Sequence, residues 1–173
     1  KSFFEDGQVA ISTARAGNVI GGGDFAENRI IPDCVRAVEN KTDIIVRNPY
    51  SIRPYQHVLE SVMTYLMIAE RQFNDANVQG SYNVGPNDID CITTGELVEQ
   101  FCNKWGNNLK WINRYDGGPH EAQFLKLDCS KLKKTFGWKP RWNVSEALDK
   151  TVEWSKEYIK GGNISKIMLE QIN

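Results

Sequence analysis

The sequence predicts an α/β protein. β-Branched runs such as residues 8–13 and Ile44–Val46 read as strands, apolar residues recur at helical spacing over 62–73, and helix start and stop signals fall between the strands. Strands mixed with helices from end to end describe one α/β unit. No internal repeat, low-complexity segment or linker interrupts the pattern, so the 173 residues fit one ordinary domain or a large piece of a bigger one.

The elements follow in order. Gln8-Val9-Ala10-Ile11-Ser12-Thr13 alternates as a strand does, and residues 14–20 prolong it into Gly21-Gly22-Gly23-Asp24, a turn where the backbone can take positive φ. Pro32 near the start and apolar Val35 and Val38 predict a short helix over 30–39. Ile44–Val46 is the second strand. Residues 47–58, Arg47-Asn48-Pro49-Tyr50-Ser51-Ile52-Arg53-Pro54-Tyr55-Gln56-His57-Val58, then connect it to a long helix. Their two prolines hold Asn48 and Arg53 extended, so a stiff connection is expected. In the helix, Val62, Tyr65, Leu66, Ala69 and Phe73 form a stripe that Met63 and Met67 widen, which predicts burial on more than one side.

Ser81-Tyr82-Asn83-Val84-Gly85 is the third strand. Thr93 and Glu96 form a capping box ahead of Leu97, Val98, Phe101 and Trp105, and Gly106 stops that helix. Short strands are expected at 109–112 and 124–127, and a small helix from Ser130 to its stop at Gly137. Asn143 with Glu146 makes a second capping box, opening a helix that runs to Gly161-Gly162.

Composition excludes several classes. Hydrophobic residues make up 40% and charged residues 25%, enough apolar material for a core in a soluble protein. A formal net charge of −1 argues against a broad surface for nucleic acid or anionic membrane. No apolar run approaches the roughly 20 residues of a membrane span. Lys1-Ser2-Phe3-Phe4-Glu5-Asp6 has no apolar signal-peptide core, and without an initiator Met the chain is expected to be a piece of something longer. Cys34, Cys91, Cys102 and Cys129 are scattered without a C-x-x-C pair, and His57 and His120 lie far apart, so no metal site is expected. Reduced cysteines in a cytoplasmic protein are the plain expectation.

No catalytic set stands out. Gly17-x-x-x-Gly21-Gly22-Gly23 has the wrong spacing for a dinucleotide fingerprint, there is no G-x-S-x-G elbow, and no tyrosine has a lysine four positions later. What remains is binding chemistry. Arg29, Arg47 and Arg53 can neutralise phosphate, and arginines offer planar forks of donors suited to a pyrophosphate. The alternative for the pair in residues 47–58 is a surface loop with two solvated arginines. Asn18 and Asn83 offer one directed amide contact each, or simply cap strand ends. His120-Glu121, after Gly117-Gly118-Pro119, reads either as a reader of sugar hydroxyls or as a polar turn. Five tryptophans can stack a base, with core packing the expectation for most of them.

Laid out together, these segments resemble the CDP-glucose 4,6-dehydratase family. The resemblance rests on A-R-A-G-N-V-I-G-G-G-D-F-A at 14–26, R-I-I-P-D at 29–33, Arg47-Asn48-Pro49, and R-P-Y-Q-H-V-L-E at 53–60. Tyr82-Asn83-Val84-Gly85-Pro86, Pro119-His120-Glu121-Ala122, L-K-L-D-C-S-K at 125–131, Gly137-Trp138-Lys139-Pro140 and Trp142 add to it. The strand-Asn-turn and Gly-Trp-x-Pro features are shared by extended short-chain dehydrogenase/reductases generally. Tyr55 stands where the family has tryptophan, a departure that leaves stacking open.

The resemblance covers essentially the whole chain but only the C-terminal half of the family. It implies edge strands of a Rossmann-type parallel sheet plus a small mixed α/β substrate-binding domain. All of 1–173 would belong to the nucleotide-sugar-binding half, with 1–24 and about 44–85 supplying strands. In the family NAD accepts a hydride from sugar C4, the 4-ketone acidifies the C5 proton, water leaves from C6, and the hydride returns there. CDP-glucose thereby becomes CDP-4-keto-6-deoxyglucose, in deoxysugar and lipopolysaccharide O-antigen biosynthesis. The NAD loop, the catalytic Tyr and Lys and the elimination acid/base belong to the N-terminal half, so this chain alone is expected to be inactive. By the same resemblance Asn18, Arg29, Arg47, Arg53, Asn83, His120 and Glu121 bind substrate, and Arg15, Ala16 and Asn18 face NAD. It further implies a dimer or tetramer, and an apolar scar where the other half is missing. Another nucleotide-sugar dehydratase or epimerase, or a non-catalytic nucleotide-sugar-binding module, are the alternatives.

Overall fold

A computed structural model describes residues 9–115 and 123–173. The chain runs β1 (Thr13–Ala16), β2 (Asn18–Ile20), α1 (Ile30–Glu39), β3 (Ile44–Val46), β4 (Ile52–His57) and α2 (Val58–Asn74). It continues through β5 (Ser81–Val84), β6 (Cys91–Thr93), α3 (Thr94–Trp105), β7 (Trp111–Asn113), α4 (Ser130–Phe136), α5 (Val144–Ile159) and α6 (Ile164–Ile172). Three small sheets result: β1 beside β5, β2-β4-β6, and β3 beside β7. All pairings are parallel except β4 with β6. The main core packs α1, α3 and α5 around these strands through Ile31, Val46, Leu97, Phe101 and Leu148. Ile68, Tyr82, Val84 and Leu132 form a second cluster beneath α2 and α4.

Several elements differ from expectation. The first strand runs from Thr13 to Ala16 among the described residues, and residues 17–20 do not continue it: Asn18–Ile20 form a strand of another sheet. The chain changes sheets at Gly17, whose backbone lies so close to Pro54 that a Cβ would fall 2.8 Å from its carbonyl oxygen. Residues 52–57, expected as part of a connection, are the central strand of their sheet, and Arg53 through His57 are buried. Pro54 is tolerated because β2 pairs with β4 only from Tyr55 onward, so the missing N–H falls before that ladder begins. Residues 124–127 form no strand; Phe124 makes a single bridge to Ile52.

The largest correction concerns α2. Its buried face is Glu60, Ser61, Thr64 and Ile68, while Val62, Met63, Tyr65 and Leu66 are exposed and Phe73 is 91% exposed. The orientation is set at the helix start. The Glu60 carboxylate is buried and accepts the backbone N–H groups of Arg141 and Trp142 at 3.1–3.2 Å. His57 Nδ1 accepts Leu59 N–H at 3.3 Å, and Thr64 satisfies its hydroxyl on the Glu60 carbonyl at 2.7 Å. With its polar face satisfied inside, the helix turns its apolar stripe outward.

Elsewhere the local signals hold. Both capping boxes, Thr93 with Glu96 and Asn143 with Glu146, are formed, and Gly137 and Gly161 end α4 and α5 with positive φ. No described helix is long and apolar enough to cross a membrane.

Candidate functional site

A cavity of about 1520 Å³ opens between the end of β2, the start of α1 and the turn from β3 to β4. Asn18, Arg29, Arg47 and Arg53 all line it. Four residues spread over 36 positions of sequence thus meet because β2 and β4 run parallel side by side, with Asn18 opposite Tyr55, two residues after Arg53.

The three arginines are presented differently. Arg53 rises from β4 with only 8% of its surface exposed, and its Nη1 donates to the Ile52 carbonyl at 2.9 Å. This burial rules out the solvated-loop alternative for Arg53. Arg47 is exposed on the turn, and its Nη2 donates to Asn28 Oδ1 at 2.8 Å. Arg29 sits just before α1 and meets Asp24 at 3.5 Å, too long to hold it firmly. The cavity therefore carries one cation in its wall and two near its rim, with the carboxylates of Asp24 and Asp33 also in its lining.

Side chains that the sequence reading did not assign to binding complete the site. Thr94 Oγ1 meets Ser51 Oγ at 3.0 Å and Tyr55 OH at 2.9 Å, a buried hydroxyl cluster in the cavity wall. Tyr55 is 2% exposed, which closes the stacking option left by its replacement of tryptophan. Tyr50 and Tyr115, both exposed, line the mouth edge-to-face at 5.5 Å, and Asn113 Nδ2 donates to Tyr50 OH at 2.9 Å. Thr94 hides behind its neighbour Thr93, the recognisable cap. The two tyrosines stand 65 positions apart in sequence and only the β3–β7 pairing brings them together.

The remaining candidates lie elsewhere. Asn83 accepts Arg15 Nε and Nη2 at 3.1 and 3.0 Å and donates to the Asp128 carbonyl at 3.0 Å, on the β1–β5 pair outside the cavity. Ala16 is on the same strand as Arg15. His120 and Glu121 lie outside the described residues. Of the tryptophans, Trp105 and Trp154 are buried, Trp111 and Trp138 pack against the two cores, and Trp142 stands edge-on to His57 at 5.0 Å.

His57 itself is buried, and its Nε2 has no hydrogen-bond partner among the described residues. Because Nδ1 accepts from Leu59, the neutral ring carries its proton on Nε2. Burial, helped by the positive charge of Lys150, lowers its pKa from 6.5 to about 4. Burial likewise raises the thiols: Cys34 lies well above its ordinary value, and Cys102 is pushed to about 11. These are inert, protonated thiols rather than nucleophiles. Among the described residues no cluster of His, Cys, Asp and Glu is arranged to hold a metal ion.

No protein-family model matches the chain. Solved structures define the class by fold. dTDP-glucose 4,6-dehydratase from Bacillus anthracis, in complex with NAD, superposes with a TM-score of 0.70 at 19% identity, over 93% of this chain and 49% of that one. UDP-glucuronic acid 4-epimerase from Bacillus cereus, in complex with UDP-glucuronic acid and NAD, superposes with a TM-score of 0.75 at 12% identity, over 91% and 48%. The fold is that of part of a Rossmann-type extended short-chain dehydrogenase/reductase.

Within that class the particular likeness is to CDP-glucose 4,6-dehydratase. The enzyme of that name from Salmonella typhimurium (strain LT2) is 45% identical over 159 residues, 91% of this chain and 44% of the relative. dTDP-D-glucose 4,6-dehydratase of Mus musculus is 21% identical over 162 residues. The chain spans less than half the length of either relative.

Proposed function

We propose that this chain is the nucleotide-sugar-binding part of an NAD-dependent CDP-glucose 4,6-dehydratase, forming CDP-4-keto-6-deoxyglucose as a cytoplasmic dimer or tetramer. The observation that carries the reading is the buried Arg53 in the wall of a cavity shared with Asn18, Arg29 and Arg47. An arginine fork held in a cavity wall matches phosphate oxygens in geometry and charge, and a diphosphate is the anion common to nucleotide sugars. Arg53 would take one phosphate, Arg47 and Arg29 the other together with the ribose, and Asn18 the sugar side. Asn83 and the His120-Glu121 pair would close the neighbouring edge. The likeness to a CDP-glucose enzyme supports cytosine as the base.

The residues available to NAD are Arg15, Ala16 and Asn18. Arg15 is exposed at a strand that pairs only with β5 among the described residues, and Asn18 is half-buried in the cavity wall. They fit a dinucleotide that arrives from outside this chain rather than one enclosed by it. When bound, NAD would supply the hydride acceptor; the residues here bind and orient. The exposed stripe on α2 and the side of β1 left unpaired among the described residues are suited to packing against a further half of the fold. Two-stranded parallel sheets seldom stand alone, which supports that reading.

Calorimetry with CDP on this chain, and product analysis with the complete protein, test the proposal. Micromolar CDP binding without turnover by residues 1–173, with conversion of CDP-glucose to a 4-keto product by the whole enzyme, is expected. Exclusive turnover of a dTDP-, GDP- or UDP-sugar would sink the assignment to CDP-glucose.

A further inference from the structure

The cavity is flanked by the turn and loop of residues 21–29, which carry Gly21, Asp24, Asn28 and Arg29 to its lining. That lip is seated on a side chain that does not itself reach the cavity. The backbone of Gly22 packs against the indole of Trp154 in α5, so close that a Cβ there would overlap Cγ and Cδ2 of the ring. Gly23 continues along the same ring with φ +81, a conformation glycine alone adopts without strain. Trp154 is in turn braced. It stacks on Tyr158 with centroids 5.3 Å apart and planes 10° from parallel, and Phe25 from the lip tilts onto both rings at 6.4 and 5.2 Å.

Consequences reach two of the three cavity arginines. Asp24 Oδ1 accepts Ala26 N–H at 3.0 Å while Oδ2 faces Arg29 at 3.5 Å. Asn28, held at φ +61, presents Oδ1 to Arg47 at 2.8 Å. Arg36 clips the same loop by donating to the Phe25 and Ala26 carbonyls at 3.2 and 3.1 Å. The lip therefore bears Arg29 directly and steers Arg47 through Asn28, and its depth is set by contact with Trp154.

We infer that Trp154 is a positioning residue for the anion-binding side of the cavity, acting through the Gly22 contact on Arg29 and Arg47. The inference rests on the nucleotide-sugar reading of that cavity. It assigns α5, which provides no cavity-lining side chain, the role of setting the spacing between the rim arginines and Arg53. The ligand it serves is a nucleoside diphosphate or its sugar ester, because only a group that spans several ångströms of anion is sensitive to that spacing.

Two variants approach the contact from opposite sides. Trp154→Ala removes the seat, and Gly22→Ala lifts the lip from it without touching α5. In each, amide hydrogen exchange of residues 22–29 should accelerate while α3 stays protected. Affinity for CDP should fall about tenfold, the loss of roughly one charge-assisted contact, while cytidine binding stays unchanged. Trp154→Phe, which keeps a flat ring, should restore most of both. In the double variant the new Cβ finds the space vacated by the indole, so the two effects should not add. Unchanged exchange in the lip of both single variants, or a loosened lip with CDP affinity within about twofold of the parent, overturns the inference. A parent protein that binds no CDP while its variants loosen the lip would instead overturn the nucleotide-sugar reading and leave the seat established.

Discussion

Replacing His57 by asparagine should remove most of the acid sensitivity of folding above pH 4. His57 is buried at the junction of β4 and α2, edge-on to Trp142, with Lys150 of α5 the charged group that disfavours its protonation. Glu60, three positions on, is engaged by the Arg141 and Trp142 amides. The folded-state pKa is about 4 against 6.5 for the free side chain, so the unfolded chain takes up the proton first as pH falls. Stability from this group is complete above pH 6.5, declines as pH drops towards 4, and changes little below. Linkage gives a loss of about 2 kcal/mol by pH 5 and about 3 kcal/mol by pH 4. Asparagine keeps an acceptor for the Leu59 amide at the helix N-cap but does not titrate. Urea unfolding of both proteins at pH 7, 6, 5 and 4 isolates the term, because all carboxylate contributions are common to the two. Parallel stability-versus-pH curves would refute the reasoning and show that His57 is hydrated or paired in solution.

Three further outcomes are expected. Glu60→Ala strands two backbone N–H groups and should cost about 2–3 kcal/mol in chemical denaturation, while Glu60→Gln, which keeps one oxygen in place, should cost nearer 1; equal losses would show that the charge rather than the acceptor matters. Arg53→Ala should weaken CDP binding by about 2–4 kcal/mol in calorimetry, and Arg53→Lys should recover only part because a point charge replaces a fork; unchanged affinity would move the anion site elsewhere in the cavity. Leu66→Glu with Phe73→Ser, both on the exposed stripe of α2, should leave the Tm within a few degrees and reduce self-association of this chain in sedimentation. Undiminished association would clear that stripe of any part in it.

Local chemistry was legible in the sequence wherever a few adjacent residues decide the outcome. The capping boxes at Thr93 and Asn143, the glycine stops at 137 and 161, and the strands at 44–46 and 81–84 needed only neighbours within one turn or one pleat. The motifs in 14–33 and 53–60 carried the likeness to CDP-glucose 4,6-dehydratase before any coordinates did. Tertiary structure decided what depends on distant partners. Residues 52–57 became a central strand because β2 and β6 lie on either side, although Arg53 and Pro54 argued locally for a connection. α2 turned its apolar stripe outward because Glu60 found two amides 81 and 82 positions away, a pairing no helical periodicity encodes. The arginines at 29, 47 and 53 were visible as cations, yet only the parallel register of β2 and β4 and the seating of the lip on Trp154 make them neighbours. Short-range preferences are written residue by residue, whereas a cavity is the space left between elements, and its contents are settled only when those elements pack.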